Sequence, residues 1–345
     1  MTDQAPDLDS DSPAPTAIHL SHPTLHSLFI EMLWGDDLNV GATGTGFTAR
    51  HRDQLYLITN YHNVSGRNPR TNEFHSSKGE PDAIRVSFPA LGRSFGFDDA
   101  TTPIEPVVEQ LYEEGLPRWL EHGSILSADV VALPISPPPG TEVLSYRLDE
   151  PEEKLSMAPA DRVSVVGFPY GHSVQGLAIW TQGSIASEPM SSAGSMAQYS
   201  RFLVDARTRT GQSGSPVIAF RNAGEPVTRI KDGRRSVDWA REPISELLGI
   251  YCGRVVDQSM PVDGGPKPGG ESDAGDQELS LDQRFERSQR QFTAQIKSLE
   301  SRLEQKLGSD LGIVWKTWVI KEIVESGTRR TARDRVRLYA DRSQD

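Results

Sequence analysis

The feature that most constrains the fold is a series of short apolar runs between Leu28 and Val256. The runs are separated by Gly, Pro, Asn and Asp, which are the residues that form turns. Runs of this length suit β-strands and are too short for most helices. The 30 glycines and 24 prolines supply the turns that many strands need. The pattern predicts a mainly β sandwich or barrel, with one partly helical interruption at residues 105–121.

Composition divides the rest of the chain. Residues 1–24 are acidic and rich in Pro, Ser and Asp, which predicts a disordered tail. Residues 25–260 carry the β pattern, and residues 261–280 have the Gly- and Pro-rich composition of a linker. Residues 281–327 change to helical periodicity and are expected to form a helical extension. Residues 328–345 are rich in arginine and are expected to be a solvated basic tail.

The spacing of apolar residues in the helical extension suggests a contact with another surface. Phe285, Phe292, Ile296, Leu299 and Leu303 follow a heptad spacing. This seam either joins two copies of the chain or packs on the rest of the same chain.

A second helix is predicted from Asp310 to Glu325, with Gly327 after its end. Trp315 and Trp318 would share one face of that helix, which either joins the core or docks a partner.

Charge and cysteine content narrow the possible partners and the compartment. The net charge of −12 disfavours binding to nucleic acid or to an anionic membrane. Residues 1–20 lack the positive region and apolar run of a Sec signal peptide, and no stretch is long and apolar enough for a membrane span. Cys252 is the only cysteine, so no intramolecular disulfide can form. These observations predict a cytoplasmic protein that binds neither nucleic acid nor membrane.

The strongest chemical motif is Thr210-Gly211-Gln212-Ser213-Gly214-Ser215-Pro216-Val217. A nucleophile for acyl transfer needs an exposed hydroxyl on a tight turn, with main-chain N–H groups aimed at the developing oxyanion. Glycines on both sides of Ser213 allow such a turn. Taken alone, the motif could equally be an ordinary Gly/Ser turn.

Two further motifs supply the partners that such a serine needs. His62 follows the apolar run Leu57-Ile58-Thr59, and Asp129 precedes the run Val130-Val131-Ala132-Leu133. Each residue alone would more often be structural. Their joint occurrence in the order His, Asp, Ser favours nucleophilic catalysis.

These segments resemble the motifs of trypsin-like serine proteases with the chymotrypsin fold. The resemblance is closest to the bacterial, disulfide-free branches such as the glutamyl endopeptidases and the Htr-type proteases. The motifs are GTGF at 44–47, TNYHNV at 59–64, DVVAL at 129–133, GFPYG at 167–171 and GQSGSPV at 211–217. The order His, Asp, Ser also differs from the orders found in subtilisins and α/β-hydrolases.

The resemblance implies two six-stranded antiparallel β-barrels, followed here by the C-terminal helical extension. It implies a serine endopeptidase with His62, Asp129 and Ser213 as its catalytic triad. The main-chain N–H groups of Gly211 and Ser213 would then form the oxyanion hole. Such a peptidase acts on proteins or peptides, needs no cofactor and has no metal site.

The resemblance also implies a substrate pocket. Arg207 would lie near its base, with Tyr251 and Arg254 along its wall. An arginine there would favour an acidic substrate side chain, unless Arg207 points to solvent. Gln212 stands where many family members have an aspartate that pairs with a newly released N-terminus. Because glutamine cannot form that ion pair, activation by N-terminal processing is not expected.

Two other functions stay open at this point. The chain could be a catalytically silent, protease-like binding or scaffolding protein that acts through its C-terminal helices. It could also be an esterase, since the same triad hydrolyses esters. A covalent probe that labels only an activated serine separates the silent protein from the two enzymes.

Overall fold

The computed structural model describes residues 20–89, 104–149, 154–189, 200–231, 234–255 and 310–342. In that part of the chain two β-rich halves follow one another, as the series of short apolar runs predicts. No helix in these ranges is long and apolar enough to cross a membrane.

The N-terminal half begins with a short helix α1, His22–His26. Its strands are β1 Ser27–Trp34, β2 Asn39–His51, β3 Gln54–Thr59, β4 Ala83–Pro89, β5 Ile104–Gln110, β6 Tyr112–Glu113, β7 Leu116–Pro117, β8 Leu120–Glu121, β9 Val131–Pro134 and β10 Tyr146–Arg147. A sheet takes the order β5-β4-β1-β2-β3-β9-β8, and β10 pairs with β2 in parallel. A second short helix, α2, spans Tyr61–Ser65 directly after β3.

The C-terminal half contains a closed barrel. Its strands are β11 Lys154–Leu155, β12 Arg162–Gly167, β13 Ile179–Ile185, β14 Arg201–Ala206, β15 Pro216–Arg221, β16 Pro226–Lys231, β17 Arg234–Trp239, β18 Ile244–Arg254 and β19 Leu311–Lys316. The barrel closes in the order β12-β13-β14-β19-β18-β15, and β11, β16 and β17 form a separate small sheet. A 3-10 turn at Pro169–Gly171 follows β12.

Two helices end the described chain: α3, Thr317–Ser326, and α4, Ala332–Arg342. The mainly β fold with a C-terminal helical part is therefore confirmed. One half is the predicted six-stranded barrel, while the other adds the two-residue strands β8 and β10 to six longer strands.

A shared apolar core holds the two halves together. Phe47 and Ile58 of the first half pack in one cluster with Val166 and Ile218 of the barrel. Val319 of α3 belongs to the same cluster, so this helix packs on both halves. Each half also has an apolar core of its own. The catalytic candidates lie along the line where the halves meet.

The predicted helix at Asp310–Glu325 is wrong over its first residues. Leu311–Lys316 is strand β19, which pairs with β14 on one side and β18 on the other. Its β-branched Ile313 and Val314 favour a strand, and a Cβ on Gly312 would lie 2.4 Å from a ring carbon of Tyr251. Trp315 consequently belongs to the barrel. The prediction that Trp315 shares a helix face with Trp318 is therefore wrong.

This strand changes the predicted domain boundaries. The last strand of the barrel comes after the predicted linker at 261–280. The predicted protease domain therefore does not end at residue 260. The helix that follows begins at Thr317, and the N–H of Gly327 donates to the Ile323 carbonyl oxygen at its end. The predicted tail at 1–24 (apart from residues 20–24), the linker and the heptad seam lie outside the described residues.

Two further predictions from composition are wrong. Residues 105–121 form strands: alternate residues of β5 are exposed, and Pro106 is tolerated in a strand whose only partner among the described residues is β4. Residues 328–345 are not simply a solvated tail, because 332–342 form α4. Arg335 of that helix is 1% exposed and forms an ion pair with Glu121.

Candidate active site

His62 and Asp129 come from neighbouring parts of the first half. His62 lies in α2, directly after β3, and Asp129 lies just before β9, which pairs with β3. His62 Nδ1 donates to Asp129 Oδ2 at 2.8 Å, and the main-chain N–H of His62 donates to Asp129 Oδ1 at 3.1 Å. Asn60 Nδ2 donates to the Asp129 carbonyl oxygen at 2.7 Å. The carboxylate is thus fixed against one edge of the imidazole.

Burial and the charge of Asp129 shift the pKa of His62 in opposite directions. Burial disfavours the imidazolium and lowers its pKa, whereas the negative charge and hydrogen bond of Asp129 raise it. The two contributions of Asp129 together exceed that of burial, so the pKa of His62 lies above its ordinary value of 6.5. Asp129 therefore makes His62 a stronger base than an isolated buried histidine.

Ser213 lies on a tight turn that is bonded to the first half. Thr45 N donates to the Ser213 carbonyl oxygen at 3.0 Å, and Thr45 Oγ1 donates to the Gly211 carbonyl oxygen at 2.7 Å. Gly214 has φ +91°, and a Cβ there would lie 1.8 Å from the Thr45 carbonyl oxygen. Only glycine fits this approach. The GTGF motif thus acts through Thr45, which holds the serine turn in place.

The Ser213 hydroxyl is hydrogen-bonded to the main chain of β18 and, among the described residues, not to His62. Its Oγ donates to the Cys252 carbonyl oxygen at 3.3 Å, and the described residues show no hydrogen bond between Ser213 and His62. His62, Asp129 and Ser213 nevertheless line one cleft of about 980 Å³. A rotation of the serine side chain is needed to direct its proton to the imidazole. Catalytic hydrogen bonds are often loose in a free enzyme and form when substrate binds.

The predicted oxyanion donors face the same cleft. Gly211 and Ser213 both line it, and within the described ranges neither main-chain N–H has a hydrogen-bond acceptor. Gly211 has φ +94°, and a Cβ there would lie 2.4 Å from the Phe168 carbonyl oxygen. The GFPYG segment therefore packs directly against the turn. Two donors without acceptors beside a serine suit a developing negative charge.

Gln212, between these donors, is buried and bonded at both ends of its amide. Its Oε1 accepts from Arg209 N at 2.8 Å, and its Nε2 donates to Thr181 Oγ1 at 2.8 Å. These neutral bonds give the residue a structural function in the turn.

The three residues predicted to line the substrate pocket lie in three different environments. Arg207 is wrong as a pocket residue: its side chain is 84% exposed and lies 4.0 Å from Asp310. Tyr251 is buried in the barrel core, where its hydroxyl and Thr208 Oγ1 share a hydrogen bond of 2.5 Å, so it does not face the cleft. Arg254 does line the cleft, and its guanidinium donates to the Thr208 carbonyl oxygen.

The sequence patterns missed several residues of the site. The His75 ring meets the His62 ring edge to face, with 5.6 Å between their centroids. Burial and the neighbouring His62 lower the pKa of His75, although Asp129 opposes them. Arg70, Lys78 and Arg201 also line the cleft. None of these four follows an apolar run, so no periodicity marks them.

The described residues contain no group of three or more His, Cys, Asp and Glu side chains placed to hold a metal ion. The cleft is lined by His62, Asp129 and Ser213, whose residue types are those that acyl transfer uses as base, orienting carboxylate and nucleophile.

Comparisons with known proteins relate the chain to a peptidase family. A family model described as a trypsin-like peptidase domain matches residues 44–227, which include all three predicted triad residues. Among solved structures, the chain is similar to the active form of the Rv3671c protease from M. tuberculosis, with 14% identity, a TM-score of 0.36, and coverage of 90% of this chain and 84% of that one. An inactive serine-to-alanine mutant of that protease aligns with 14% identity, a TM-score of 0.33, and coverage of 88% and 86%.

A comparison with curated proteins found no match. The family model spans more than half of the chain and includes both the GTGF segment and the serine turn. The chain therefore belongs to the family of trypsin-like peptidases and is a trypsin-like serine peptidase.

Proposed function

We propose that this peptidase is an endopeptidase that cleaves proteins or peptides through an acyl-enzyme on Ser213. His62 acts as the general base and acid, and Asp129 orients His62. The observation that carries the proposal is the His62–Asp129 pair, bonded at 2.8 Å, in the same cleft as Ser213.

Asp129 determines which nitrogen of His62 can accept a proton. Because Nδ1 donates to the carboxylate, the neutral ring keeps its lone pair on Nε2. That nitrogen is then the base for the Ser213 hydroxyl once the serine turns from the Cys252 carbonyl. The charge and hydrogen bond of Asp129, which raise the pKa of His62, also stabilise the imidazolium that forms during attack.

The reaction then proceeds in two acyl transfers. Ser213 Oγ bonds to the substrate carbonyl carbon, its proton passes to His62 Nε2, and the carbonyl oxygen becomes an oxyanion. As the carbon–nitrogen bond breaks, His62 gives the proton to the departing amine. Water, deprotonated by the same imidazole, attacks the acyl-enzyme and restores Ser213.

The oxyanion would bind to the N–H groups of Gly211 and Ser213, which have no acceptor among the described residues. In enzymes of this chemistry one such donor is worth about 3–4 kcal/mol of transition-state stabilisation. The contacts of Thr45 with this turn would keep both donors in position before substrate arrives.

One observation favours a second function. The bond from Ser213 Oγ to the Cys252 carbonyl oxygen holds the nucleophile away from its base. A catalytically silent binding protein would keep this arrangement when substrate or probe is present. An active peptidase would leave it when its cleft is filled.

A fluorophosphonate probe distinguishes these two functions, because it reacts only with an activated serine. We expect the full chain to be labelled and to cleave peptides, and Ser213→Ala to lose both properties while keeping its fold. Ser236→Ala is the matched control, since Ser236 is exposed on β17 and does not line the cleft. Labelling of Ser213→Ala, or no labelling of the folded wild type, would refute the proposal.

A further inference from the structure

The charges that line the cleft differ sharply from those of the whole chain. The chain has 48 acidic and 36 basic residues. Among the described residues that line the cleft, however, four are cationic: Arg70, Lys78, Arg201 and Arg254. The only carboxylate there is Asp129, which is bonded to His62. The cleft is therefore a positive region on an otherwise negative molecule.

Three of these cations have defined positions before any ligand binds. The Arg201 guanidinium lies 5.1 Å from the centre of the Trp315 ring, on the neighbouring strand of the barrel. Arg254 donates to the Thr208 carbonyl oxygen, and Lys78 Nζ donates to the Gly41 carbonyl oxygen at 2.8 Å. Side chains that are already ordered lose little conformational entropy when a ligand binds.

Arg70 and Arg201 come from opposite halves of the fold and act on one another. Burial lowers the pKa of Arg201, and the positive charge of Arg70 lowers it further. Both charges also act on Cys252, whose carbonyl oxygen accepts from Ser213. Arg70 and Arg201 both line the cleft that contains Ser213. An anion bound between them would relieve their repulsion and form charge-assisted hydrogen bonds.

We infer that this peptidase selects peptides with aspartate or glutamate near the scissile bond, and that Arg70 and Arg201 bind the acidic side chain. The inference rests on the proposed endopeptidase function. It also moves the predicted acidic preference from Arg207, which faces solvent, to residues that face the cleft. Arg254 and Lys78 extend the positive region along the cleft.

The test compares peptide pairs that are identical except for Glu or Gln at one position within a few residues of the scissile bond. A hydrogen bond to a charged group contributes about 1.5–3 kcal/mol, which corresponds to roughly a 10- to 150-fold higher kcat/KM for the Glu peptide. The preference should fall as salt is added, because Arg70 is exposed to solvent. In the double variant Arg70→Gln, Arg201→Gln the two peptides should be cleaved at similar rates.

A small neutral ester serves as the internal standard. It needs only the catalytic centre, so unchanged ester hydrolysis shows that a variant is folded and active. If the double variant does not fold, Arg70→Glu provides a second route, because Arg70 is exposed and its replacement disturbs no core. This variant should lower the preference for Glu peptides, so that the Glu and Gln peptides are cleaved at more similar rates. Arg337→Gln, on the exposed face of α4, is the matched control and should keep the preference.

The outcomes separate this inference from the proposed function. Hydrolysis of the ester with equal rates for Glu and Gln peptides would overturn the acidic preference and leave the peptidase function intact. A preference for Glu that survives both arginine variants would overturn the assignment of Arg70 and Arg201. If a folded wild type hydrolyses neither ester nor peptides, the proposed function itself fails.

Discussion

Replacement of Arg335 tests how the C-terminal helix stabilises the catalytic half of the fold. The Arg335 guanidinium is 1% exposed and pairs with the Glu121 carboxylate, whose side chain is 4% exposed. It also donates to the carbonyl oxygens of Leu126 at 2.5 Å and Pro69 at 2.9 Å, and it lies 4.1 Å from the centre of the Tyr61 ring. Tyr61 precedes His62, and Leu126 precedes Asp129 by three residues. A residue beyond the barrel thus contacts both segments that carry the catalytic pair.

The expected magnitude follows from the charge that would be left behind. Arg335→Met removes one member of a buried ion pair and leaves the Glu121 carboxylate in the interior, which costs about 3–5 kcal/mol of unfolding free energy. Glu121 keeps a hydrogen bond from Trp119 Nε1 at 3.2 Å and an ion pair with Arg330 at 3.9 Å. These remaining partners place the expected loss near 3 kcal/mol, at the lower end of that range.

The loss should depend on pH in a defined direction. Burial raises the pKa of Glu121 above its ordinary value, and Arg335 opposes that rise. Without Arg335 the pKa in the folded state rises further, while the pKa in the unfolded state is unchanged. A raised carboxyl pKa favours the folded state at low pH, and this advantage is lost as the pH rises through the folded-state pKa. The destabilisation by Arg335→Met should therefore be larger at pH 8 than at pH 5.

Urea unfolding followed by tryptophan fluorescence measures this loss. Arg337→Met is the matched control, because Arg337 is exposed on the same helix and should change stability by no more than about 0.5 kcal/mol. The double variant Arg335→Met, Glu121→Leu should recover most of the stability, since it leaves no buried charge. Equal stability of Arg335→Met and Arg337→Met, or a loss that is the same at both pH values, would refute this reasoning.

Three further predictions concern the catalytic centre. Asp129→Asn should lower kcat by about 10⁴-fold with an unchanged circular dichroism spectrum, because the amide favours the wrong tautomer of His62; near-normal activity would contradict the triad. The kcat/KM should rise with pH, and the midpoint of this rise should lie above pH 6.5, since His62 must be neutral to accept a proton and Asp129 raises its pKa. A midpoint below pH 6.5 would contradict the raised pKa of His62. Gly214→Ala should abolish labelling by a fluorophosphonate, since its Cβ would lie 1.8 Å from the Thr45 carbonyl oxygen; normal labelling would show that the turn can move.

The three candidate catalytic residues could be singled out in the sequence because each lies at the end of an apolar strand with a recognisable flank. His62 follows β3, Asp129 precedes β9, and Ser213 precedes β15. Local patterns of this kind place a residue at a strand end. The order His, Asp, Ser along the chain then favours nucleophilic catalysis by the three residues together. The fold class was predictable for the same reason, since short apolar runs and turn residues are local signals.

Features that depend on distant partners could not be predicted in this way. Leu311–Lys316 has apolar residues at spacings that fit a helix or a strand, and only its pairing with β14 and β18 decides between them. Arg335 belongs to a basic stretch whose composition suits a solvated tail, and its burial depends on Glu121. Arg70 and Arg201 are far apart along the chain, so their meeting in the cleft is a property of the fold.

The late position of β19 also sets a time at which the protein can become active. The barrel that carries Ser213 lacks one wall until residues 311–316 have been made, although all three triad residues are synthesised much earlier. At about 5–20 residues per second, the ribosome needs several seconds to travel from β18 to β19. Because α4 follows β19, the contacts of Arg335 with Glu121 and Leu126 form after residues 311–316 have been synthesised. The order of elements along the chain thus prevents the barrel that carries Ser213 from closing before residues 311–316 have been synthesised.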